Sequence, residues 1–269
     1  MKNTVSGLLA LLLFCAAAGA SDAAAPTSGQ TSELSGREIM TRVYNRDEGD
    51  DRRSTITMTL TNKQGRQRIR AMESYSKNYG QDRKGIMIFL DPADVKGTMY
   101  LSWEYESPGR EDDKWLYMPA MRKDRRISGA SRNEYFMGSD FTYDDIGRRH
   151  PEKDKQRLLK EEKVRGLDCW KIECVPVDRS ESYTLRTAWV SKEYLLVIKA
   201  EYFDKDGLLK TFEATDIHTQ NGFSAIYVCE MANAATGHKT EMRIGSMRYN
   251  TGLNDSLFTV ATLQRGRIQ

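Results

Sequence analysis

Ser54–Asn78 reads STITMTLTNKQGRQRIRAMESYSKN. Its first half alternates threonine with Ile56, Met58 and Leu60, the period of two that sets every second side chain on one face of a strand. NKQG, Asn62–Gly65, carries turn residues, and Arg66–Asn78 returns as the partner strand of a hairpin. Just upstream the period is different. Ser35 followed by Glu38 is a capping-box signature, and Ile39, Met40, Val43 and Tyr44 recur at helical spacing, so a helix of about three turns precedes the hairpin and ends before Gly49.

The strand rhythm continues downstream. Lys84–Leu90 (KGIMIFL) is a more buried strand that Pro92 ends by removing a ladder donor. In Thr98–Tyr105, Met99, Leu101, Trp103 and Tyr105 point one way, and Lys114–Met121 follows an exposed loop. Cys169–Val177, Tyr183–Val190, Leu195–Phe203, Leu209–Ile217, Ser224–Asn233 and Lys239–Tyr249 are separated by turn signals such as DKDG and QNGF. The total is about ten strands and one clear N-terminal helix. Connections this short leave no room for crossover helices, so the sheet is expected to be a mostly antiparallel meander, long enough that it must curl, close or be covered.

The N-terminus gives an address. Lys2, the apolar Leu8–Ala20 core and the small residues Ala18 and Ala20 before Ser21 have the form of a cleaved signal peptide. Residues 1–20 are expected to be that leader and 21–33, rich in Ala, Ser, Thr and Gly, a flexible tether. Residues 34–269 then form a single half-barrel domain. Lipid attachment through Cys15 fits less well, because Phe14 stands where that signal wants a small residue. No later segment reaches the roughly 18 uninterrupted apolar residues of a membrane span.

Forty-one basic against 38 acidic side chains give no electrostatic argument for nucleic acid. Catalytic patterns are missing. His150, His218 and His238 are scattered, without the spacing of a zinc site, and there is no GxSxG, phosphate loop or CxxC. DKDG lacks the rest of a calcium loop and reads as a hairpin turn. No cofactor and no metal are expected. Of the cysteines downstream of the leader, Cys169 and Cys174 lie about 16 Å apart along an extended strand, beyond the disulfide reach of about 7 Å. Either pairs with Cys229, or the thiols stay buried and free.

Asn133–Ile146, NEYFMGSDFTYDDI, follows the basic run Arg122–Arg132. Thr142 with Asp145 fits a capping signature before Ile146, and Ser139 can cap a turn opened by Gly138, so the block reads first as a folded corner. Ligand contact is the second reading. Acid–base catalysis by Asp140, Asp144 and Asp145 is the third. Arg122, Arg125 and Arg126, with Phe136, Phe141 and Tyr143, are candidates for a rim or partner surface. The twelve methionines, with tryptophan and tyrosine, suggest an adaptable apolar inner wall. The candidates, taken by strand parity, are Met58, Leu60, Met99, Leu101, Trp103, Trp115, Tyr117, Trp189 and Ile198. The alternative is that these residues fill an ordinary core.

The blocks LYMPAMRKDRRISGASRNEYFMGSDFTYDDI, RGLDCWKIEC, MANAATGHKTEM and LNDSLFTVATL resemble the bacterial outer membrane lipoprotein-sorting protein family, related to the LolA and LolB carriers. The resemblance spans nearly the whole chain after the leader. It implies a mostly β fold with helices (α+β), an incomplete antiparallel β-barrel with a helical lid over a hydrophobic cavity. It also implies a non-enzymatic periplasmic carrier or acceptor of lipid or lipoprotein acyl chains. The partners to expect are then an inner-membrane exporter of the resistance-nodulation-division type and transient membrane contact. A periplasmic sensor or protein-interaction module on the same fold is the other functional reading.

Overall fold

A computed structural model describes residues 34–268. The expected signal peptide and tether, residues 1–33, lie outside the described residues. Thirteen strands form one antiparallel sheet that does not close on itself. Helix α1 is Gly36–Tyr44; the first six strands are β1 (Asp51–Thr61), β2 (Gln67–Tyr79), β3 (Asp82–Asp91), β4 (Met99–Glu104), β5 (Asp113–Met118) and β6 (Lys123–Ile127). The other seven are β7 (Asp154–Val164), β8 (Leu167–Pro176), β9 (Leu185–Ser191), β10 (Val197–Asp204), β11 (Gly207–Gln220), β12 (Phe223–Asn233) and β13 (Lys239–Tyr249). A short helix, α2 (Val260–Arg265), follows.

The order across the sheet is β6-β5-β4-β3-β2-β1-β13-β12-β11-β10-β9-β8-β7. The chain therefore starts in the middle, winds out to one edge, reappears at the other edge and winds back until β13 pairs with β1. Each step is a short hairpin-type connection, as the turn residues require, except one. Between β6 and β7 the chain must cross the whole inner face, and residues 128–153 make that crossing. Bulges, as between Thr55 and Ile56, Leu158 and Lys160, and Val197 and Lys199, add local bend and twist to the sheet.

Two strands escape the sequence pattern, and a third is shorter than it implied. Lys123–Ile127, inside the basic run Arg122–Arg132, is the edge strand β6, and Asp154–Val164 is the other edge, β7. Both are strongly polar because an edge strand needs only one buried face and charge guards its open side. Lys114–Met121 shortens to β5, which stops before Pro119.

Helix α1 forms as its sequence dictates. Ser35 Oγ accepts from the Glu38 backbone N–H at 3.2 Å, and the Glu38 carboxylate accepts from the Ser35 N–H at 2.7 Å. Its apolar stripe, Ile39 and Val43, packs on Ile172, Cys174 and Val190 of the inner face. Gly36 allows the approach, since a Cβ there would meet the Arg157 and Leu158 backbone at 2.9 Å.

The two halves of the sheet are filled differently. In the β1–β6 half the inner face carries Met58, Leu60, Met72, Phe89, Tyr100, Leu116 and Ile127, and the crossing segment packs Phe136 and Tyr143 onto them. The outer face of the same half holds Tyr75, Ile86, Met99 and Leu101, covered by Phe258 and Leu263 of the C-terminal segment. That segment is tied down by Asp51, whose carboxylate accepts from Thr251 N–H (2.7 Å), Thr251 Oγ1 (2.8 Å), Gly252 N–H (2.7 Å) and Leu253 N–H (2.9 Å). In the β7–β12 half, α1 spans the inner face without filling it.

Candidate functional site

The crossing segment explains the NEYFMGSDFTYDDI block. Met137 (φ 51°) and Gly138 (φ 73°) adopt left-handed backbone in succession and reverse the chain. A small antiparallel bridge follows, with the Phe136 N–H donating to Phe141 O at 2.7 Å. Thr142 and Asp145 form the expected capping pair: Asp145 Oδ2 accepts from Thr142 N–H at 2.7 Å, and Thr142 Oγ1 accepts from Asp145 N–H at 3.2 Å.

The three aspartates pin this segment to the barrel wall. Lys210, fully buried on β11, donates to Asp145 Oδ2 at 2.6 Å and to the Asp140 carbonyl at 2.9 Å. Burial holds the Lys210 ammonium below its ordinary pKa, against the opposing pull of Asp145. Asp140 Oδ2 accepts from Thr240 Oγ1 at 2.7 Å and meets His238 Nδ1 at 2.6 Å. Asp144 pairs with buried Lys114 at 2.7 Å, and although burial alone would raise its pKa, Lys114 holds it below the usual value. Each carboxylate is thus engaged in fastening the segment, which accounts for the acids without acid–base chemistry.

Between α1, the crossing segment and strands β8–β12 lies a cavity of about 420 Å³, within the size range of small-molecule pockets. Strand register builds its floor. Ala188, Ala200, Phe212 and Met231 stand opposite one another along one rung of β9–β12, and Ile172 continues the rung on β8 beneath α1. The two facing alanines are the reason for the space, because no long side chain reaches across from either. Val43 and Tyr44 of α1, Phe141 and Ile146 of the crossing segment, and Val197 complete the apolar wall.

Two residues along each strand the next rung is polar: Cys174, Arg186, Tyr202 and Lys210. Arg149 grips Asp154 through Nε at 2.8 Å and Nη2 at 2.6 Å, and Arg186 donates to the same carboxylate. Burial would raise the Asp154 pKa, but these arginines hold it below its ordinary value. Nearby, Glu48 accepts from Arg46 and, at 2.5 Å, from Arg83, while Glu104 pairs with Arg83 at 3.2 Å and Arg148 at 3.1 Å. Against its burial, Arg52, Arg46 and Arg83 keep the Glu48 carboxyl below its ordinary value. The cavity is amphipathic, with an apolar floor beside an arginine-rich wall.

The residues chosen by parity do not line it. Met58 and Leu60 face inward but lie under Phe136 and Tyr143 in the filled half. Met99, Leu101, Trp103, Trp115 and Tyr117 face outward beneath the C-terminal segment, where Trp103 Nε1 donates to Phe258 O at 2.9 Å. Trp189 and Ile198 join a buried cluster with Cys169 and Leu196, and Trp189 lies between the ammonium groups of Lys171 and Lys199. Of the rim candidates, Phe141 lines the cavity, and Phe136 and Tyr143 are core. Arg125 and Arg126 are exposed on β6, paired with Glu134 at 2.9 Å and with Asp113, and Arg122 is exposed in the turn before it. Among the many lining residues that parity missed are Ala188, Ala200 and Arg186. The one signal for Arg186 and Ala188 is Leu185–Val190, LRTAWV, where an arginine and an alanine share a face. All three described cysteines are unpaired, so the disulfide alternative with Cys229 does not hold.

No curated protein sequence matches the chain. A family model described as "Uncharacterized protein" matches residues 81–265. A DUF1329 family protein from Desulfovibrio piger is 31% identical, covering 85% of this chain and 97% of its own, with a TM-score of 0.81. A putative outer membrane lipoprotein-sorting protein domain from Vibrio parahaemolyticus is 34% identical over 86% of this chain and 98% of its own, with a TM-score of 0.80. The LolA superfamily protein NE2245 from Nitrosomonas europaea, 20% identical over 84% of this chain and 98% of its own with a TM-score of 0.66, shares the fold. The chain belongs to the DUF1329 family, and its open antiparallel barrel with a helical lid is the fold it shares with the putative outer membrane lipoprotein-sorting protein domain and with the LolA superfamily protein.

Proposed function

We propose that the protein is a non-enzymatic periplasmic carrier or acceptor of a lipid or a lipoprotein acyl chain, held in the cavity between α1 and β8–β12. The observation that carries this reading is the apolar rung Ala188, Ala200, Phe212 and Met231, left uncovered over a volume of about 420 Å³. An alkyl chain of about ten methylenes buried there gains ~8 kcal/mol at ~0.8 kcal/mol each, before the cost of association is subtracted. Such affinity needs no polar code for the chain itself. In this reading residues 1–20 are a cleaved leader, 21–33 a tether and 34–269 one carrier domain. An exporter of the resistance-nodulation-division type is the fitting donor, with transient membrane contact at handover.

Protein purified from its native envelope is expected to carry lipid detectable by mass spectrometry of the extract. Ala200→Trp, which fills the floor, is expected to retain several-fold less. Wild-type protein free of lipid, or equal loads in the two proteins, would refute the carrier. Exposed Arg125 and Arg126 on the open edge strand favour a second reading, a protein-interaction module. Charge reversal at both that abolishes a partner interaction while leaving lipid load intact would support it.

A further inference from the structure

Six arginines border the cavity: Arg46, Arg52, Arg83, Arg148, Arg149 and Arg186. Four carboxylates balance them, Glu48, Asp154 and Glu181 in the wall and Glu104 from behind. Asp144 and Asp145 also reach the cavity, but each is neutralised on its far side by a buried lysine, Lys114 at 2.7 Å and Lys210 at 2.6 Å. The guanidinium groups therefore outnumber the carboxylates left to them by two.

The surplus has an address within the wall. Arg186 gives a hydrogen bond to Asp154 from Nη2, and its buried Nε has no acceptor among the described residues. The buried Nε of Arg46 has none there either, and Arg52 comes no nearer a carboxylate than 3.9 Å, at Glu48. A buried donor without an acceptor is costly, so unused donors collected at one cavity point to a ligand that accepts from them. Arg186 stands opposite Tyr202 across the β9–β10 pair, and both line the cavity two residues from the facing alanines of the apolar floor. In an extended strand that step is about 6 to 7 Å, so the head of an alkyl chain lying on the floor would sit beside Arg186.

We infer that the cargo is an anionic amphiphile, its carboxylate or phosphate head held by Arg186 with Arg46 and Arg52, and its alkyl chain on the Ala188–Ala200 floor. This deepens the carrier reading and rests on it. A carboxylate and a phosphate monoester each present two oxygens that a planar guanidinium can engage at once.

The test is calorimetric titration of the delipidated full chain with dodecanoate, dodecyl phosphate, dodecan-1-ol and inorganic phosphate. At least one of the two anionic amphiphiles should bind about tenfold or more tighter than the alcohol, the contribution of one charge-assisted hydrogen bond. Arg186→Gln should bring that ratio toward one; Asp154 keeps its two bonds from Arg149 in this variant. Arg52→Gln, at a looser position, serves the same purpose should the first variant fail to fold. Alcohol binding as tight as both anions, or a ratio unchanged in the folded variants, overturns the inference and leaves the carrier standing. Inorganic phosphate binding as tightly as dodecyl phosphate overturns it in favour of a free-anion site. Binding of none of the four removes the carrier reading itself.

Discussion

Lys210→Met tests whether the crossing segment is held by buried charge. The lysine is fully buried and spends its ammonium on Asp145 Oδ2 at 2.6 Å and the Asp140 carbonyl at 2.9 Å. Methionine keeps most of the volume and removes the charge. Asp145, itself 6% exposed, then keeps only Thr142 N–H, Thr142 Oγ1 and Tyr183 OH, at 2.7, 2.9 and 3.0 Å. Removing one partner of a buried pair costs about 3 to 5 kcal/mol because a charge is stranded. Three surviving donors set the expectation at the lower end, about 3 kcal/mol. At an m-value of about 3 kcal/mol/M the urea midpoint falls by about 1 M. Adding Asp145→Asn removes the stranded charge, so the double variant should recover part of the loss, with a coupling of about 1 to 3 kcal/mol. A single-variant cost under about 1 kcal/mol, or strictly additive costs, would refute the claim that this ion pair anchors the segment.

Two further outcomes follow from the same geometry. Burial alone would raise the Asp51 pKa, but the bonds from Leu253, Thr251 and Gly252 hold it below its ordinary 3.8, so its stabilisation is complete above that pH and is lost as pH falls through the lower folded value. Asp51→Asn should therefore be less stable by about 2 kcal/mol at pH 7, with a deficit that shrinks below about pH 4 in thermal melts; an equal deficit at pH 3 and pH 7 counts against the tie to the C-terminal segment. Cys174, 2% exposed and with its thiol pushed up to about 11 by burial, should resist a thiol reagent until the chain unfolds. Rapid labelling of Cys174 in native protein would mean that α1 lifts from the floor.

The α1 cap, the β1–β2 hairpin and the antiparallel meander were legible because they are local: a capping box, a period of two and turn residues act within a few positions of one another. The capping pair Thr142–Asp145 was legible for the same reason. Edge strands β6 and β7 were not, since their charge copies that of a solvated loop.

Sequence by itself determined that alternate residues share a face, and so which side chains travel together along each strand. It could not assign a sign to that alternation. Met99, Leu101, Trp103, Trp115 and Tyr117 do share a face, but the face turned outward because the distant C-terminal segment, Leu253–Ile268, covers it. Tertiary structure alone decided that the β6–β7 crossing would fill one half of the barrel and leave the other to α1. The cavity then fell over two alanines and an arginine, whose identity carries no apolar signal, because an empty volume is defined by what surrounding chains fail to reach and not by the residues at its floor.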